Sequence, residues 1–76
     1  MSVDHDSAVP VYRQVAAIIA SRIESGELGP GRPVPSESSL MGEYGISRDT
    51  VRRAMDVLRE QNLIVTVQGK GSYVRD

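Results

Sequence analysis

Three stretches of the chain carry apolar residues at the spacing of a helix. The first places them three or four positions apart, which gives one face that can be buried. Its members are Tyr12, Val15, Ala16, Ile19 and Ile23. Pro10 precedes the stretch at a position suited to the first helical turn, and Gly26 follows it at a position suited to a helix end. The pattern predicts a first helix from about residue 11 to residue 25.

Two further helices are predicted, a short one over residues 36–44 and a longer one over residues 48–61. Ser36 and Ser47 stand where N-cap residues are expected, and Gly45 stands where the short helix ends. The longer helix has an apolar stripe of Val51, Ala54, Met55 and Leu58. Only about three residues separate the two helices, which is typical of a helix-turn-helix.

After Asn62 the pattern changes to that of an extended chain. Leu63–Val67 is rich in β-branched residues, residues 68–71 contain two turn glycines, and residues 72–75 read as a returning strand. Pro33–Pro35 is compatible only with a very short edge strand. The order predicts a mostly α fold with a small β-hairpin, a winged helix-turn-helix of three helices plus wing. We expect this domain at residues 10–76 and a flexible, acidic tail at residues 1–9.

Length and composition exclude several classes of function. Seventy-six residues form one small domain with little room for an enclosed ligand chamber. The chain has no cysteine and a single histidine, and it shows no Ser-His-Asp set, so we expect no enzyme activity, no cofactor and no metal. No apolar run approaches the roughly 18 residues of a membrane span. We therefore expect no membrane partner. We also expect a cytoplasmic location, with which the absence of cysteine is compatible.

The total net charge of the chain argues against binding of nucleic acid, but the distribution of the charge along the chain permits such binding. The total is −1, whereas nucleic-acid-binding domains tend to be basic. Residues 1–47 have three basic and six acidic side chains, but residues 48–76 have six basic and four acidic ones, a net +2. The third helix and the wing therefore form a small basic region.

This region suits double-stranded DNA by shape as well as by charge. An α-helix fits the major groove, which is ~12 Å wide, and residues near its N-terminus can reach bases and phosphates. Glycines at the wing tip permit close approach to DNA, and Lys70 supplies a cation there. A solvated face with an i,i+4 pair such as Arg52–Asp56 is the simpler interpretation of the helix arginines, and Tyr12, Tyr44 and Tyr73 fit core packing better than base stacking.

Five segments, in this order and spacing, resemble the DNA-binding domain of the GntR family of bacterial transcription regulators. They are Tyr12–Val15, Ile23–Gly31, Val34–Glu37, Ser47–Ala54 and Gln68–Val74. The resemblance implies a winged-helix fold, dimeric binding to inverted-repeat operators and control of transcription, usually repression. It also implies a long C-terminal effector domain in typical members. We expect no small-molecule effector site within this chain, which is either an excised domain or a short member.

The resemblance implies base or phosphate contacts from Arg48, Thr50 and Arg52, a backbone contact at Ser47, and a minor-groove contact at Gly69 beside Lys70. Ser38 stands where arginine is common in the family, and Asp49 stands where a small or hydroxyl residue is common. An acid there would repel phosphate or accept a hydrogen bond from a cytosine amine. The full set of expected DNA-contacting residues is Ser36, Ser38, Ser47, Arg48, Asp49, Thr50, Arg52, Arg53, Gln68, Gly69, Lys70 and Gly71. The alternative function is a winged-helix module for protein interaction or assembly.

Overall fold

Three helices precede a two-stranded antiparallel hairpin in the computed structural model, which describes residues 3–76. The helices are α1 (Val11–Glu24), α2 (Glu37–Tyr44) and α3 (Arg48–Glu60), and the strands are β1 (Ile64–Val67) and β2 (Gly71–Val74). We call the hairpin from residue 64 to residue 74 the wing. This architecture confirms the predicted winged helix-turn-helix, three helices plus wing.

The element boundaries differ from the predicted ones by one residue at the strands. The end of α3 sets the start of β1, because Asn62 adopts a left-handed conformation (φ 59°) and the Leu63 N–H donates to the Leu58 carbonyl at 3.0 Å. This is the Schellman arrangement, which closes the helix and turns the chain away from it. Strand β2 begins at Gly71 and ends at Val74 because its register pairs Val67 with Gly71 and Ile64 with Val74.

The core lies where α1, α2 and α3 meet the base of the wing. Its largest fully buried side chains are Val15, Ile19, Leu40, Val51, Leu58 and Ile64. Val34 and Val74 extend this core under the wing. Tyr12 and Tyr44 pack against it, as expected, while Tyr73 is half-buried on the wing. The core therefore connects the base of the wing to the third helix and leaves the wing tip outside.

The segment before α2 joins the wing as a third, very short strand. Pro33 forms an isolated bridge with Tyr73 of β2. The Val34 N–H donates to the Ser72 carbonyl and the Val74 N–H donates to the Arg32 carbonyl, both at 2.9 Å. The edge pairing that the proline-rich sequence allowed is thus present, and it places β2 between this segment and β1.

Arg22 is a partly buried arginine near the end of α1. Its side chain is only 21% exposed and bonds Glu27, Glu43 and the Tyr44 hydroxyl. It therefore ties the end of α1 to the end of α2. Burial lowers the pKa of Arg22, but hydrogen bonds to Glu27 and Tyr44 outweigh burial and raise that pKa above its ordinary value.

The segment before α1 contacts that helix through Gln14. The Gln14 side-chain amide donates to the carbonyls of Asp4 and Val9, and its Oε1 accepts from the Asp4 N–H at 2.8 Å. The predicted flexibility of residues 1–9 stays a prediction, and Met1 and Ser2 lie outside the described residues. Within residues 3–76, no helix is both long and apolar enough to cross a membrane.

Candidate nucleic-acid interface

The two helices of the helix-turn-helix both begin at serine caps. Ser36 Oγ accepts from the Ser39 N–H at 3.1 Å, and Ser47 Oγ accepts from the Thr50 N–H at 3.2 Å. Between the helices Gly45 is left-handed, with φ 63° and ψ 45°. This turn brings the N-terminus of α3 to the surface, where its partial positive charge and the Ser47 and Thr50 hydroxyls are available to an anion.

Arg48 and Arg52 extend from the first two turns of α3 and share one carboxylate. Glu37 Oε1 lies 3.5 Å from Arg48 Nε, and Glu37 Oε2 lies 3.1 Å from Arg52 Nε. Both arginine side chains remain more than half exposed, at 51% and 62%. Glu37 therefore orients both guanidinium groups while their outer N–H groups stay open to solvent and to a ligand.

Asp49 and Arg53 form a second pair on α3. Asp49 Oδ2 accepts from Arg53 Nε at 3.1 Å, an i,i+4 contact between exposed side chains. The suggested pair Arg52–Asp56 does not form: Arg52 bonds Glu37 of α2 instead, and Asp56 bonds Arg59, one helical turn further along α3. Sequence spacing on one helix could not reveal the competing carboxylate from α2.

The wing tip is exposed and tightly turned. The Lys70 N–H donates to the Val67 carbonyl at 3.0 Å, and Gly69 has φ 80°, a value that favours glycine. Gln68, Gly69 and Lys70 are all exposed. No carboxylate of the described residues forms an ion pair with Lys70. The tip thus presents a cation and an unobstructed backbone to solvent.

A cleft of about 380 Å³ separates α3 from the wing. Four of the predicted site residues line it, namely Ser36, Arg52, Lys70 and Gly71. Arg53 instead lines a hollow beside Tyr12 and Arg13 of α1, and Ser38, Ser47, Arg48, Asp49, Thr50, Gln68 and Gly69 lie outside both. The structure therefore brings four of the predicted residues together around one cleft, with Arg52 on α3 and Lys70 on the wing, and it does not bring the other eight to that cleft.

Two residues at this cleft escaped prediction as site residues. They are Glu37 of α2 and Arg59 of α3, neither of which is among the expected DNA-contacting residues. Both take part in contacts between elements: Glu37 with Arg48 and Arg52, and Arg59 with Thr66 of β1. Only the packing of α2 and the wing against α3 reveals them.

Residues 3–76 hold no cluster of three or more His, Cys, Asp or Glu side chains suited to a metal.

Comparison with known proteins places this arrangement in a family. A family model described as "Bacterial regulatory proteins, gntR family" matches residues 11–74. The chain belongs to the GntR family. Among curated GntR relatives, MngR of Escherichia coli K12, the mannosyl-D-glycerate transport/metabolism system repressor, is 48% identical over 67 residues. That match covers 88% of this chain and 28% of MngR. The chain spans less than a third of the length of the curated relatives it matches.

Solved structures of GntR domains share the fold. YtrA from Sulfolobus acidocaldarius, a GntR-family transcription factor, superposes with a TM-score of 0.89 at 35% identity, covering 99% of this chain and 79% of that one. The AraR DNA-binding domain in complex with operator ORX1 superposes with a TM-score of 0.87 at 37% identity, covering 97% and 92%. These matches confirm the predicted family, the winged-helix fold and the non-enzymatic class of this GntR domain.

Proposed function

We propose that this GntR domain is a sequence-specific, double-stranded DNA-binding transcription regulator that acts as a repressor. The N-terminal half of α3 enters the major groove, and residues 68–71 of the wing contact the adjacent minor groove. The observation that carries the proposal is the cleft between the oriented arginines of α3 and Lys70 of the wing, which forms no ion pair within residues 3–76. The similar AraR domain, which was solved with operator DNA, supports it.

The dimensions of the domain suit half of an inverted repeat. Its longest extent is 34 Å, close to one turn of B-DNA at about 34–36 Å. One copy therefore covers one half-site, and a homodimer on DNA reads two half-sites related by two-fold symmetry. We propose that two-site binding supplies much of the affinity, because a single domain with net charge −1 has no net positive charge to attract DNA.

Within this proposal, three groups have distinct roles. Arg48 and Arg52 contact bases or phosphates in the major groove, and Ser47 and Thr50 contact a phosphate at the start of α3. Lys70 contacts a phosphate from the minor-groove side, next to Gly69. The protein acts on the chromosome in the bacterial cytoplasm, and any small-molecule effector acts from outside residues 11–74, since the cleft between α3 and the wing belongs to the DNA-binding edge.

Selection of bound sequences from a random duplex pool tests the proposal. An inverted repeat should emerge, with half-sites about one helical turn apart. On that operator, log affinity should fall with log salt at a slope of about −3 to −4 per monomer, if roughly three to five phosphates are neutralised. Failure to bind any duplex at low salt would refute the proposal and favour the alternative, a protein-interaction or assembly module.

Arginine variants test the orientation of the domain. Arg48→Ala and Arg52→Ala should each cost about 1–3 kcal/mol on the selected operator. Arg75→Ala is the matched control, because Arg75 is exposed at the base of the wing, at the opposite end from the tip. Equal losses from all three variants would show that only overall charge matters and would contradict the proposed role of α3.

A further inference from the structure

A chain of polar contacts connects the last turn of α3 to the middle of the wing. Arg59 Nη1 donates to Thr66 Oγ1 at 2.8 Å, and Arg59 Nη2 donates to Asp56 Oδ1. Thr66 Oγ1 in turn lies 3.0 Å from Ser72 Oγ, its register partner on β2. The contacts therefore run from Asp56 through Arg59 to both strands of the wing.

These contacts reach further along the wing than its apolar packing does. Ile64 and Val74 are buried at the base, whereas Val65, Thr66 and Val67 of β1 are all exposed. A two-stranded hairpin is marginally stable on its own, so its angle to the rest of the domain depends on such contacts. The short strand at Pro33 anchors β2 from one side. Arg59 anchors β1 from the side of α3.

We propose that Arg59 is a positioning residue that sets the angle between the wing and α3, so that both grooves are contacted at once. This inference rests on the proposed function. Arg59 need not touch DNA for it. Its guanidinium lies between Asp56 and Thr66 and orders the wing before DNA binds. The free energy of binding is therefore not reduced by the entropy cost of ordering the wing.

The geometry of the contact favours arginine at this position. The planar guanidinium presents separate N–H groups to two acceptors, one on its own helix and one on the wing. Asp56 orients the group from one turn away, and Thr66 receives it. A lysine would offer a single flexible ammonium and could not orient the wing in the same way.

Thr66→Val tests the proposal without changing charge or shape. It removes the acceptor of Arg59, together with the contact to Ser72 Oγ, and leaves every cation in place. We expect about a three- to tenfold loss of operator affinity, the cost of ordering one segment on binding. We also expect the salt slope to fall by about 0.9, because Lys70 loses its phosphate contact in the displaced wing. Thr66→Ser, which keeps the hydroxyl, should restore both values.

Val65→Thr is the matched control for this substitution. It exchanges the same two residue types at the neighbouring position on β1, whose side chain points to the opposite face of the hairpin. It should leave affinity and salt slope unchanged. Thermal unfolding of each variant separates a displaced wing from an unfolded domain. A Thr66→Val domain that unfolds normally and binds with wild-type affinity and slope would overturn the proposal.

Lys70→Ala separates failure of this inference from failure of the proposed function. If the wing contacts DNA, Lys70→Ala weakens operator binding, and Thr66→Val then costs much less in the Lys70→Ala background than alone. If Thr66→Val lowers operator affinity by the same factor in both backgrounds, Thr66 does not act through the wing. That result would overturn the role of Arg59. If Lys70→Ala does not change operator affinity, the wing does not contact DNA as proposed. In that case both the proposed wing contact and the positioning role of Arg59 fail.

Discussion

Glu37 and Arg52 lie on different helices of the helix-turn-helix, yet their side chains meet at 3.1 Å between Oε2 and Nε. The same carboxylate lies 3.5 Å from Arg48 Nε. A pair this exposed contributes little to stability, typically about 0–1 kcal/mol. Its importance is therefore orientation: one acidic residue of α2 limits the directions in which two arginines of α3 can point.

Glu37→Gln should lower the specificity of DNA binding more than its strength. Loss of the carboxylate removes a negative charge from the DNA-binding edge, so affinity for non-operator DNA should rise about threefold. Arg48 and Arg52 lose their shared acceptor, so operator affinity should fall about fivefold. Fluorescence anisotropy on operator and scrambled duplexes at one salt concentration measures the ratio of the two affinities.

The matched control for this substitution is Glu60→Gln. It makes the same change of charge at the exposed last residue of α3, away from the arginine pair. Any rise in non-operator affinity should be smaller, and operator specificity should not change. An unchanged specificity ratio in Glu37→Gln would show that Glu37 does not orient the arginines for recognition.

Asp49→Ala should strengthen binding to any DNA sequence. Asp49 carries the carboxylate that occupies Arg53, and removing it frees that guanidinium for a phosphate. The salt slope should steepen by about 0.9 per half-site. The same change should destabilise the domain by about 0.3–1 kcal/mol, because an acid in the first turn favours the helix dipole. Salt titration of Asp49→Ala and of the Asp49→Ala/Arg53→Ala double variant tests whether the freed Arg53 binds a phosphate. An increase in affinity and salt slope that persists without Arg53 would contradict this role of Arg53.

Ser47→Ala should destabilise the domain through the N-terminus of α3. The Ser47 hydroxyl satisfies the Thr50 N–H, and an N-cap of this kind contributes about 1 kcal/mol. For a domain of this size that loss corresponds to roughly 4–8 °C in melting temperature. Calorimetry on Ser47→Ala, with Ser47→Gly expected to cost only a few tenths of a kcal/mol, measures the effect. Ser38→Ala, at an exposed position inside α2, is the control that should not lower the melting temperature, because alanine favours a helix more than serine does.

Tyr44 should make the fold sensitive to alkaline pH. Burial raises the pKa of Tyr44 above its ordinary value of 10.0, and the Glu43 carboxylate raises it further, while Arg22 opposes the shift. The unfolded chain therefore loses its tyrosine proton at a lower pH than the folded chain does. The stabilisation is complete below pH 10.0 and is lost as pH rises from there through the folded-state pKa.

Denaturant unfolding across that alkaline range checks this expectation. The wild-type free energy of unfolding should fall with rising pH more steeply than that of Tyr44→Phe. Tyr12→Phe is the control, since it removes a hydroxyl ten residues, or about 15 Å, away from Arg22 along α1. Parallel pH curves for wild type and Tyr44→Phe would contradict the assignment.

The elements of this domain were predictable because their signals are local. A capping serine, a left-handed glycine and a run of β-branched residues each act within a few positions of the chain, so Ser47, Gly45 and Ile64 could be placed from sequence. The family resemblance extended these signals to function. The strand boundaries shifted by one residue because the Schellman turn at Asn62 and the register of the hairpin set them together.

The pairings of charged side chains were not predictable in the same way. Arg52 could bond Asp56 on its own helix or Glu37 on another, and only the packing of α2 on α3 decides between them. The partners of Arg22 were not predictable for the same reason, because Glu43 and Tyr44 approach it only in the folded chain. Long polar side chains have many partners within reach, and their choice depends on tertiary structure.

The pairing of arginines with carboxylates also affects how the protein searches for its operator. On non-operator DNA, Glu37 and Asp49 stay beside Arg48, Arg52 and Arg53, and their negative charge offsets part of the attraction of these arginines to phosphates. Residence times on such DNA should be short, and the protein should move by frequent dissociation and rebinding rather than by long sliding. Only a sequence that also supplies base contacts should retain the protein for longer.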